Sequence, residues 1–452
     1  MVSLHYKCMN LMSLIIVLYS VILFGAGIFI KNAKNGKEYT VGKQKINVFG
    51  IASALVMTHF GAGFILGGAE LGYRYGIYGL VYGLAAAIGL FFLGIFSKRI
   101  YTQAKKEKIS TISMFLFKKY KNKKIEILAA VISIIALIGI ASAQFFAAIK
   151  IFSVLGMNME ISSAITFIIV ILIATKGIDA FAKFSKINIA MAAIGAIAAI
   201  IFVYNMKIKP LFNVTFETIS PSSLLWILLP TMLYTLIGQD LQQKIYSSDS
   251  WKNARNASFI SSVIIALLSL FPVIIGMQSK ALFQIEAYEA LPKFIAFAFP
   301  SILKGLFIAA ILAAVIGSSQ SVINAAATQF SEDLIKNPKK HKRIHAISAL
   351  VISSLALILA LLSGSIVNNI VLACTIYTAA MFMPISVAFF SKNPRKIFKP
   401  VFIISILSII LTLIIETGLI NTSIPSIIIS VLSSFILLTL YLLCKNKLKS
   451  VN

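Results

Sequence analysis

The chain has 452 residues, of which 59% are hydrophobic and only 12% are charged, and its mean hydropathy is +0.95. Soluble globular chains carry about 25% charged residues, so this composition excludes a water-soluble enzyme, a secreted disulfide scaffold and a nucleic-acid-binding domain. The 41 Lys and Arg against 14 Asp and Glu give a net charge of +27, whose distribution along the chain decides its meaning. The composition indicates an all-α protein that crosses a membrane many times.

The first apolar run, 9–30, raises the question of a signal peptide. It follows Lys7 and continues to Lys31, which makes it longer than the about 7–15 apolar residues of a signal peptide. It also lacks an A-x-A cleavage site. We therefore expect this run to be retained as the first transmembrane helix.

Apolar runs recur along the whole chain, separated by polar or lysine-rich gaps. A transmembrane helix needs about 20 predominantly apolar residues, and by that measure about thirteen helices are predicted. The predicted spans are 9–30, 47–70, 77–97, 125–152, 161–176, 185–206, 222–242, 256–277, 302–328, 344–363, 366–390, 398–418 and 424–444. We expect one transmembrane domain, 1–452, with a core over roughly 46–390 and with 9–30, 398–418 and 424–444 as peripheral helices.

The basic residues are divided unequally between the two sides that these spans define. With the N-terminus outside, 33 of the 41 Lys and Arg fall in cytoplasmic segments and 8 fall on the opposite side. The positive-inside rule therefore predicts an outside N-terminus and a cytoplasmic C-terminus in the cell (plasma or inner) membrane. The most basic stretch, 98–124, is interpreted as the main topology determinant, with an anionic-lipid patch as the alternative. No nucleic-acid partner is needed to explain the charge.

The second predicted span has an unusual density of glycine. Between Thr58 and Glu70 it carries four glycines in eight residues, and each costs about 1 kcal/mol relative to alanine in a helix. Transporters bind solutes and ions where helices unwind, because unwound backbone frees carbonyl and amide groups at membrane depth. The run therefore predicts a broken helix, with close helix packing through small residues as the alternative.

The seventh predicted span is interrupted as well. Residues 229–239 place a proline, two threonines, a tyrosine and a glutamine in an otherwise apolar helix. The two interrupted spans lie five helices apart, and a repeat with an odd number of helices reverses its direction across the membrane. Spans two to six and seven to eleven therefore form a predicted 5+5 inverted-repeat core.

The ninth predicted span is rich in small polar side chains. Residues 313–324 contain three serines and two amides: Ser318, Ser319, Gln320, Ser321 and Asn324. Such groups need partners in a dry environment, and hydroxyl oxygens suit a hard monovalent cation. Serine hydroxyls that bond to their own helix backbone are the simpler alternative.

Four segments in collinear order resemble the sodium/solute symporter family, whose members carry sugars, proline, pantothenate and other small solutes. HFGAGFILGGAELGYRYG (59–76) looks like the family's glycine-rich first core helix, and TKGIDAFAKFSKINIAM (175–191) is similar to a loop and the helix that follows it. IGQDLQQKIYSSDSWKNARNAS (237–258) resembles the segment after the first helix of the second repeat. GLFIAAILAAVIGSSQSVINAAATQFSEDL (305–334) looks like the serine-rich helix with its acidic end.

This resemblance implies a leucine-transporter-like inverted-repeat fold and alternating access driven by a cation gradient. It also implies a sodium site, formed by the carbonyls near Met57 and Phe60, the Ala314 carbonyl, and the Gly317–Ser318 pair. The family usually has two hydroxyls at that pair, and this chain has a glycine at the first position. Ser319 replaces the missing hydroxyl only if the helix turns differently.

The resemblance further implies where a solute binds, between the breaks of the second and seventh spans. The residues that it assigns to solute binding are Gly61, Gly63, Phe64, Thr231, Tyr234 and Gln239. Tyr234 falls at a position that resembles an inner-gate aromatic of sugar-transporting relatives, with ordinary helix packing as the alternative. The local breaks carry hydroxyls, an amide and an aromatic ring, so a neutral or zwitterionic solute is expected, and its identity is open.

A second departure from the family pattern concerns the coupling ion. The family commonly has an acidic residue where this chain has Lys186. An ammonium about 4 Å from Na⁺ at an effective dielectric of about 20 repels it by about 4 kcal/mol, or roughly a thousandfold in affinity. One hypothesis is therefore coupling to protons through Lys186 and His59, and the simpler one is that Lys186 extends to lipid headgroups.

Together these patterns predict a secondary active transporter that imports a small organic solute by Na⁺ symport. A proton-coupled or uncoupled facilitator of the same fold is the alternative, and a membrane-embedded sensor is a further one. Enzyme chemistry is not expected, because the chain has no recognisable Ser/His/Asp set or H-E-x-x-H motif. No cofactor is expected beyond Na⁺ or H⁺ as coupling ion, and the oligomeric state is open.

Overall fold

The computed structural model describes residues 41–42, 44–154, 158–174, 178, 185–186, 189, 214–337, 340–362 and 365–451. The predicted first span and nearly all of the predicted sixth span lie outside these residues. Within them, the secondary structure is helical apart from an isolated bridge between Ile46 and Ser248. This is an all-α membrane protein.

The helices follow the predicted spans closely. They are α1 Val48–His59, α2 Ala62–Tyr75, α3 Val81–Glu107, α4 Ile112–Tyr120, α5 Lys123–Val154, α6 Met159–Ala174, α7 Pro221–Ile237, α8 Gln239–Ser247, α9 Trp251–Leu282, α10 Ala290–Ala298, α11 Ser301–Gln329, α12 His341–Leu361, α13 Ile366–Phe390, α14 Phe398–Glu416 and α15 Ser426–Val451. Among the described residues, nine helical segments are long and apolar enough to cross a membrane. The number of thirteen spans is therefore approximate.

The stretch 98–124 differs from the loop that the sequence predicts. Helix α3 continues through it to Glu107 and ends at Lys108, which adopts the left-handed conformation. A second short helix, α4, then begins after Thr111, whose side chain accepts a hydrogen bond from the Met114 amide. A search for apolar runs of spanning length misses α4, because this helix has nine residues and two lysines in its last turn.

The helices form two packing groups. In the first, α9 packs against α2 and α3, and α7 also packs against α3. In the second, α5 packs against α11, α12 and α13. Helix α1 contacts α9 of the first group and α11 of the second, and α8 likewise contacts α3 and α11. The two short helices that flank the breaks therefore lie where the groups meet.

Close packing explains part of the glycine-rich second span. A Cβ atom on Gly276 of α9 would lie 2.1 Å from the Ala69 carbonyl oxygen, and one on Gly72 of α2 would lie 2.4 Å from the Val273 carbonyl oxygen. The backbones of α2 and α9 are thus in direct contact, as in other membrane helix pairs that cross at small residues. Gly68 similarly admits the Pro272 ring from α9.

A buried carboxylate joins α5 to the segment that follows α11, at the predicted cytoplasmic end of these helices. Glu126 of α5 has a fully buried side chain, and its carboxylate lies 3.2 Å from the Lys123 ammonium and 2.7 Å from the Lys336 ammonium. Nearby, Thr111 donates a hydrogen bond of 2.8 Å to Asp333, which follows α11. Because unpaired buried charges are costly, these contacts fix the end of α11 against α4 and α5.

Candidate solute and cation site

The first break separates α1 from α2. Phe60 has φ −74° and ψ 60°, and Gly61 is extended, with φ −121° and ψ −153°. The Gly61 amide donates to the His59 carbonyl at 2.7 Å. In a continuous helix it would donate to the Met57 carbonyl, so the break releases the Met57 carbonyl from the α-helical pattern.

Gly61 lets two other helices reach this break. A Cβ atom at Gly61 would lie 2.5 Å from Oε1 of Gln144 in α5 and 2.6 Å from Cβ of Ser318 in α11. Gln144 Oε1 also accepts a hydrogen bond of 2.7 Å from the Ala62 amide, the first of α2. The glycine is therefore required for the contact between the break and the α5–α11 group.

The second break lies at Gly238, between α7 and α8, and Pro230 sits inside α7. Gly238 has φ −63° and ψ 141°, which ends the helix. The carbonyls that α7 leaves unbonded are satisfied by side chains: Gln242 Nε2 donates to Leu236 at 2.9 Å, and the Tyr377 hydroxyl donates to Ile237 at 2.9 Å. Side chains from adjacent helices commonly satisfy the backbone groups that a break in a transmembrane helix releases.

A buried aspartate occupies the start of α8. Asp240 is 2% exposed, and its carboxylate accepts a hydrogen bond of 2.9 Å from the Tyr234 hydroxyl. It also accepts from the backbone amides of Asp240 and Leu241. A carboxylate in the first turn is favourable because the amides there have no helical partner.

A small cavity of about 30 Å³ lies between the two breaks. Its lining residues come from α1, α3, α5, α7, α8, α11 and α13: Thr58, His59, Tyr82, Ile140, Gln144, Thr231, Tyr234, Thr235, Asp240, Leu241, Val322, Ile370 and Cys374. Within the described structure, Nε2 of His59 and Oγ1 of Thr231 are buried and have no hydrogen-bond partner. Because buried polar atoms are nearly always paired, these two atoms mark a place where a polar ligand gains partners.

The serine-rich helix presents its two central serines differently. Ser318 of α11 donates a hydrogen bond of 2.9 Å to the Thr58 carbonyl at the first break. Ser319 donates to the Val315 carbonyl of its own helix at 2.8 Å. Of the residues expected around Na⁺, Met57, Phe60 and Ala314 are all buried. Ser318 therefore faces the break. Ser319 instead bonds to the backbone of its own helix, which is the alternative to ion binding for this serine-rich segment.

The structure brings together some of the expected solute ligands and separates others. Thr231 and Tyr234 line the cavity with His59. Gly63 faces Ile370 and Tyr82, and its Cβ would lie 2.4 Å from Ile370 Cδ1.

The remaining expected solute ligands make other contacts. The Phe64 ring lies 5.3 Å from the Phe60 ring. Gln239 accepts a hydrogen bond of 2.8 Å from the Ile112 amide and so faces α4.

Lys186 lies away from the cavity. Its side chain is exposed, and its ammonium is 5.7 Å from the centre of the Phe49 ring. Phe49 is itself 58% exposed on α1. This placement suits a lysine that extends along an apolar surface.

The sequence patterns missed three polar groups at the site. Hydropathy treats Gln144 as part of the apolar fourth span, places Asp240 at the cytoplasmic end of the seventh span, and places Lys244 in the cytoplasmic segment that follows. In the structure Lys244 is 1% exposed and Asp240 is also buried. Their spacing of four residues, directly after a glycine break, was a signal that could have placed both on one face of a short helix.

The fold and this site define a class: secondary transporters in which two broken helices meet at the centre of an inverted-repeat core. The sequence model of the sodium:solute symporter family matches residues 39–395, and the chain belongs to that family. It is accordingly a sodium-coupled secondary transporter of the membrane. The family assignment favours this function over a proton-coupled or uncoupled facilitator or a sensor.

Relatives and solved structures agree with this assignment. The sodium/pantothenate symporter of Escherichia coli (strain K12) is 21% identical over 394 residues, which are 76% of this chain and 78% of that protein. A Na⁺-coupled sialic acid symporter in a substrate-bound outward-open state has a TM-score of 0.79 at 17% identity, covering 95% of this chain and 96% of that one. A nucleobase-cation-symport-1 family transporter in a closed conformation has a TM-score of 0.61 at 10% identity, covering 88% and 92%.

Proposed function

We propose that the protein imports a small polar organic solute together with Na⁺, and that the solute binds in the cavity between the two breaks. The unpartnered atoms of His59 and Thr231 carry this proposal, because they line the cavity without a partner among the described residues. Tyr234 and Asp240 complete a polar wall. The named relatives carry pantothenate and sialic acid, which supports a hydrogen-bonding organic solute.

Solute binding requires the cavity to enlarge. A volume of about 30 Å³ is far below the roughly 300–1,000 Å³ of pockets that hold organic ligands. The break helices α1 and α8 lie between the α2–α3–α7–α9 group and the α5–α11–α12–α13 group, so a rotation of one group against the other widens the site. Such rocking of one group against the other is the usual form of alternating access in inverted-repeat transporters.

The function is tested with the purified full-length protein in two steps. A thermal-shift screen of sugars, amino acids and organic acids, in Na⁺ and in K⁺ at equal ionic strength, identifies the solute through its stabilisation of the folded state. Uptake of that solute into proteoliposomes is then measured with an inward Na⁺ gradient or without one. Accumulation above the external concentration only with the Na⁺ gradient supports the proposal, and equal uptake under both conditions contradicts it.

The same proposal places Na⁺ at the first break, held by the carbonyls near Met57 and Phe60, the Ala314 carbonyl and the Ser318 hydroxyl. Hydrogen bonds to charged groups contribute about 1.5–3 kcal/mol, so Ser318→Ala is expected to raise the Na⁺ concentration for half-maximal thermal shift at least about tenfold. Ser319→Ala is the matched control, since this hydroxyl bonds to Val315. Equal midpoints for the two variants would remove Ser318 from the site.

We also propose the orientation that the positive-inside rule gives, with an outside N-terminus and a cytoplasmic C-terminus in the cell membrane, and one transmembrane domain over 1–452. In a Cys8→Ser background, a membrane-impermeant maleimide is expected to modify Cys444 only after permeabilisation. Cys444 is exposed, whereas Cys374 is buried. Asn421→Cys, in the exposed α14–α15 connection, is the control and is expected to react in intact cells. Labelling of Cys444 in intact cells, with Asn421→Cys reacting only after permeabilisation, would contradict the proposed orientation.

A further inference from the structure

Lys244 is a fully buried lysine at the centre of the transporter. It lies on α8, one turn after Asp240, and only 1% of its surface is exposed. Its ammonium donates hydrogen bonds of 2.6 Å to the Asp240 carbonyl oxygen and 2.7 Å to the Ser321 hydroxyl of α11. A lysine is almost never fully buried unless its charge is compensated, so this position calls for a specific role.

The ammonium approaches the proposed Na⁺ site through Ser321 and Thr58, whose hydroxyl donates a hydrogen bond of 2.7 Å to the Ala54 carbonyl. Ser321 Oγ lies 3.1 Å from Thr58 Oγ1. The carbonyl of Thr58, in turn, accepts the hydrogen bond from Ser318. Lys244 therefore donates to a pair of hydroxyls between α1 and α11, and one member of that pair, Thr58, also supplies the carbonyl that Ser318 contacts at the proposed sodium site.

The net charge of this buried region affects how readily it accepts Na⁺. In their ionised forms, Asp240 and Lys244 contribute opposite charges to the same buried region, and each has hydrogen-bond partners there. Adding Na⁺ would leave one uncompensated positive charge in a low-dielectric environment, which is costly. Bringing Na⁺ close to the ammonium also costs repulsion that water screens little at a buried site.

We infer that Lys244 is a tethered cation that competes with Na⁺ for the oxygens between α1 and α11 and so sets the sodium affinity of the transporter. When Na⁺ binds, the ammonium moves away from Ser321; when Na⁺ leaves, the ammonium returns and satisfies the hydroxyl network. The inference rests on the proposed function, and it assigns to Lys244 the repulsion of Na⁺ that the sequence analysis considered for Lys186. It makes Lys244 a positioning residue and not a solute ligand.

The test compares sodium midpoints in purified full-length protein. Lys244→Gln removes the charge and keeps a hydrogen-bonding side chain, and we expect its half-maximal Na⁺ concentration for thermal shift to fall at least tenfold below that of the unmodified protein. Lys244→Arg retains the charge and is expected to stay within threefold or to bind Na⁺ more weakly. Lys252→Gln is the matched control, because Lys252 is exposed at the start of α9, and its midpoint is expected to be unchanged.

Each result decides the inference. An unchanged or higher midpoint in Lys244→Gln would overturn it and leave Na⁺ coupling intact. If Lys244→Gln does not fold, Lys244→Arg decides, because a tenfold lower midpoint with the charge retained contradicts competition by charge. If neither the unmodified protein nor Lys244→Gln responds to Na⁺, the inference and the proposed function both fail. A purely structural lysine would change the melting temperature of the variant without lowering its sodium midpoint.

Discussion

Gly61→Ala is expected to reduce Na⁺-driven solute uptake about 100-fold, while the protein still inserts and folds. The added Cβ would lie 2.5 Å from Gln144 Oε1 and 2.6 Å from Ser318 Cβ, so the first break must move away from α5 and α11. Overpacking of this kind costs typically about 1–3 kcal/mol. A displacement of about 1 Å at a reacting centre costs about 100-fold in rate, and we expect a similar loss where solute and ion ligands are misplaced together.

The measurement is initial uptake into proteoliposomes at matched protein content, together with the Na⁺ midpoint in the thermal-shift assay. Gly139→Ala is the matched control in α5, since its Cβ would meet the Ala373 methyl at 3.0 Å and can be accommodated by a small shift. We expect the control to retain uptake within about twofold. Full activity of Gly61→Ala would mean that the contact of the break with Gln144 and Ser318 is dispensable.

The helical architecture could be predicted from the sequence because the membrane constrains it strongly. A helix in lipid must satisfy its backbone internally and must be about 20 apolar residues long, and both requirements are visible in apolar runs. The break at Gly61 is also predictable from the sequence, because several closely spaced glycines destabilise a continuous helix. Short helices such as α4, which lie between spans, leave no comparable signal.

The second break illustrates what a sequence pattern leaves open. Proline and glycine both interrupt helices in principle, and the run from Pro230 to Gly238 contains both. The chain breaks at Gly238 because Gln242 and Tyr377 supply donors for the carbonyls that are released there. Tyr377 lies 140 residues from Ile237 in the chain, and such a contact becomes visible only when the helices are assembled.

The burial of Asp240 and Lys244 is hidden from sequence patterns for a related reason. Hydropathy places Asp240 at the cytoplasmic end of the seventh span and Lys244 in the segment that follows it, since charged residues within a membrane are unfavourable. In the structure, their cost is offset by the Tyr234 hydroxyl, by the first amides of α8 and by Ser321. A pattern along one helix contains none of the partners on α7 and α11 that make the burial possible.

Asp240→Asn is expected to raise the half-maximal Na⁺ concentration at least about tenfold and to reduce Na⁺-driven uptake about 100-fold. The substitution removes the negative charge that balances Lys244, so the region would hold an uncompensated ammonium before any Na⁺ arrives. It also weakens the hydrogen bond from Tyr234, since a bond to a charged acceptor contributes about 1.5–3 kcal/mol and a neutral one about 1 kcal/mol. Sodium titration by thermal shift and uptake in proteoliposomes measure the two effects.

The double variant Asp240→Asn with Lys244→Gln separates the loss of charge balance from the loss of a local contact. The double variant restores neutrality, and we expect its Na⁺ midpoint to lie within about threefold of that of the unmodified protein. The two single changes are expected to move the midpoint in opposite directions: Asp240→Asn raises it and Lys244→Gln lowers it. Residues in direct contact commonly show such non-additive effects. Tyr234→Phe provides the comparison for the hydrogen bond alone and is expected to change the midpoint by less than about tenfold. If the double variant binds Na⁺ as weakly as Asp240→Asn, the aspartate acts as a ligand or structural residue, and charge balance does not control sodium binding.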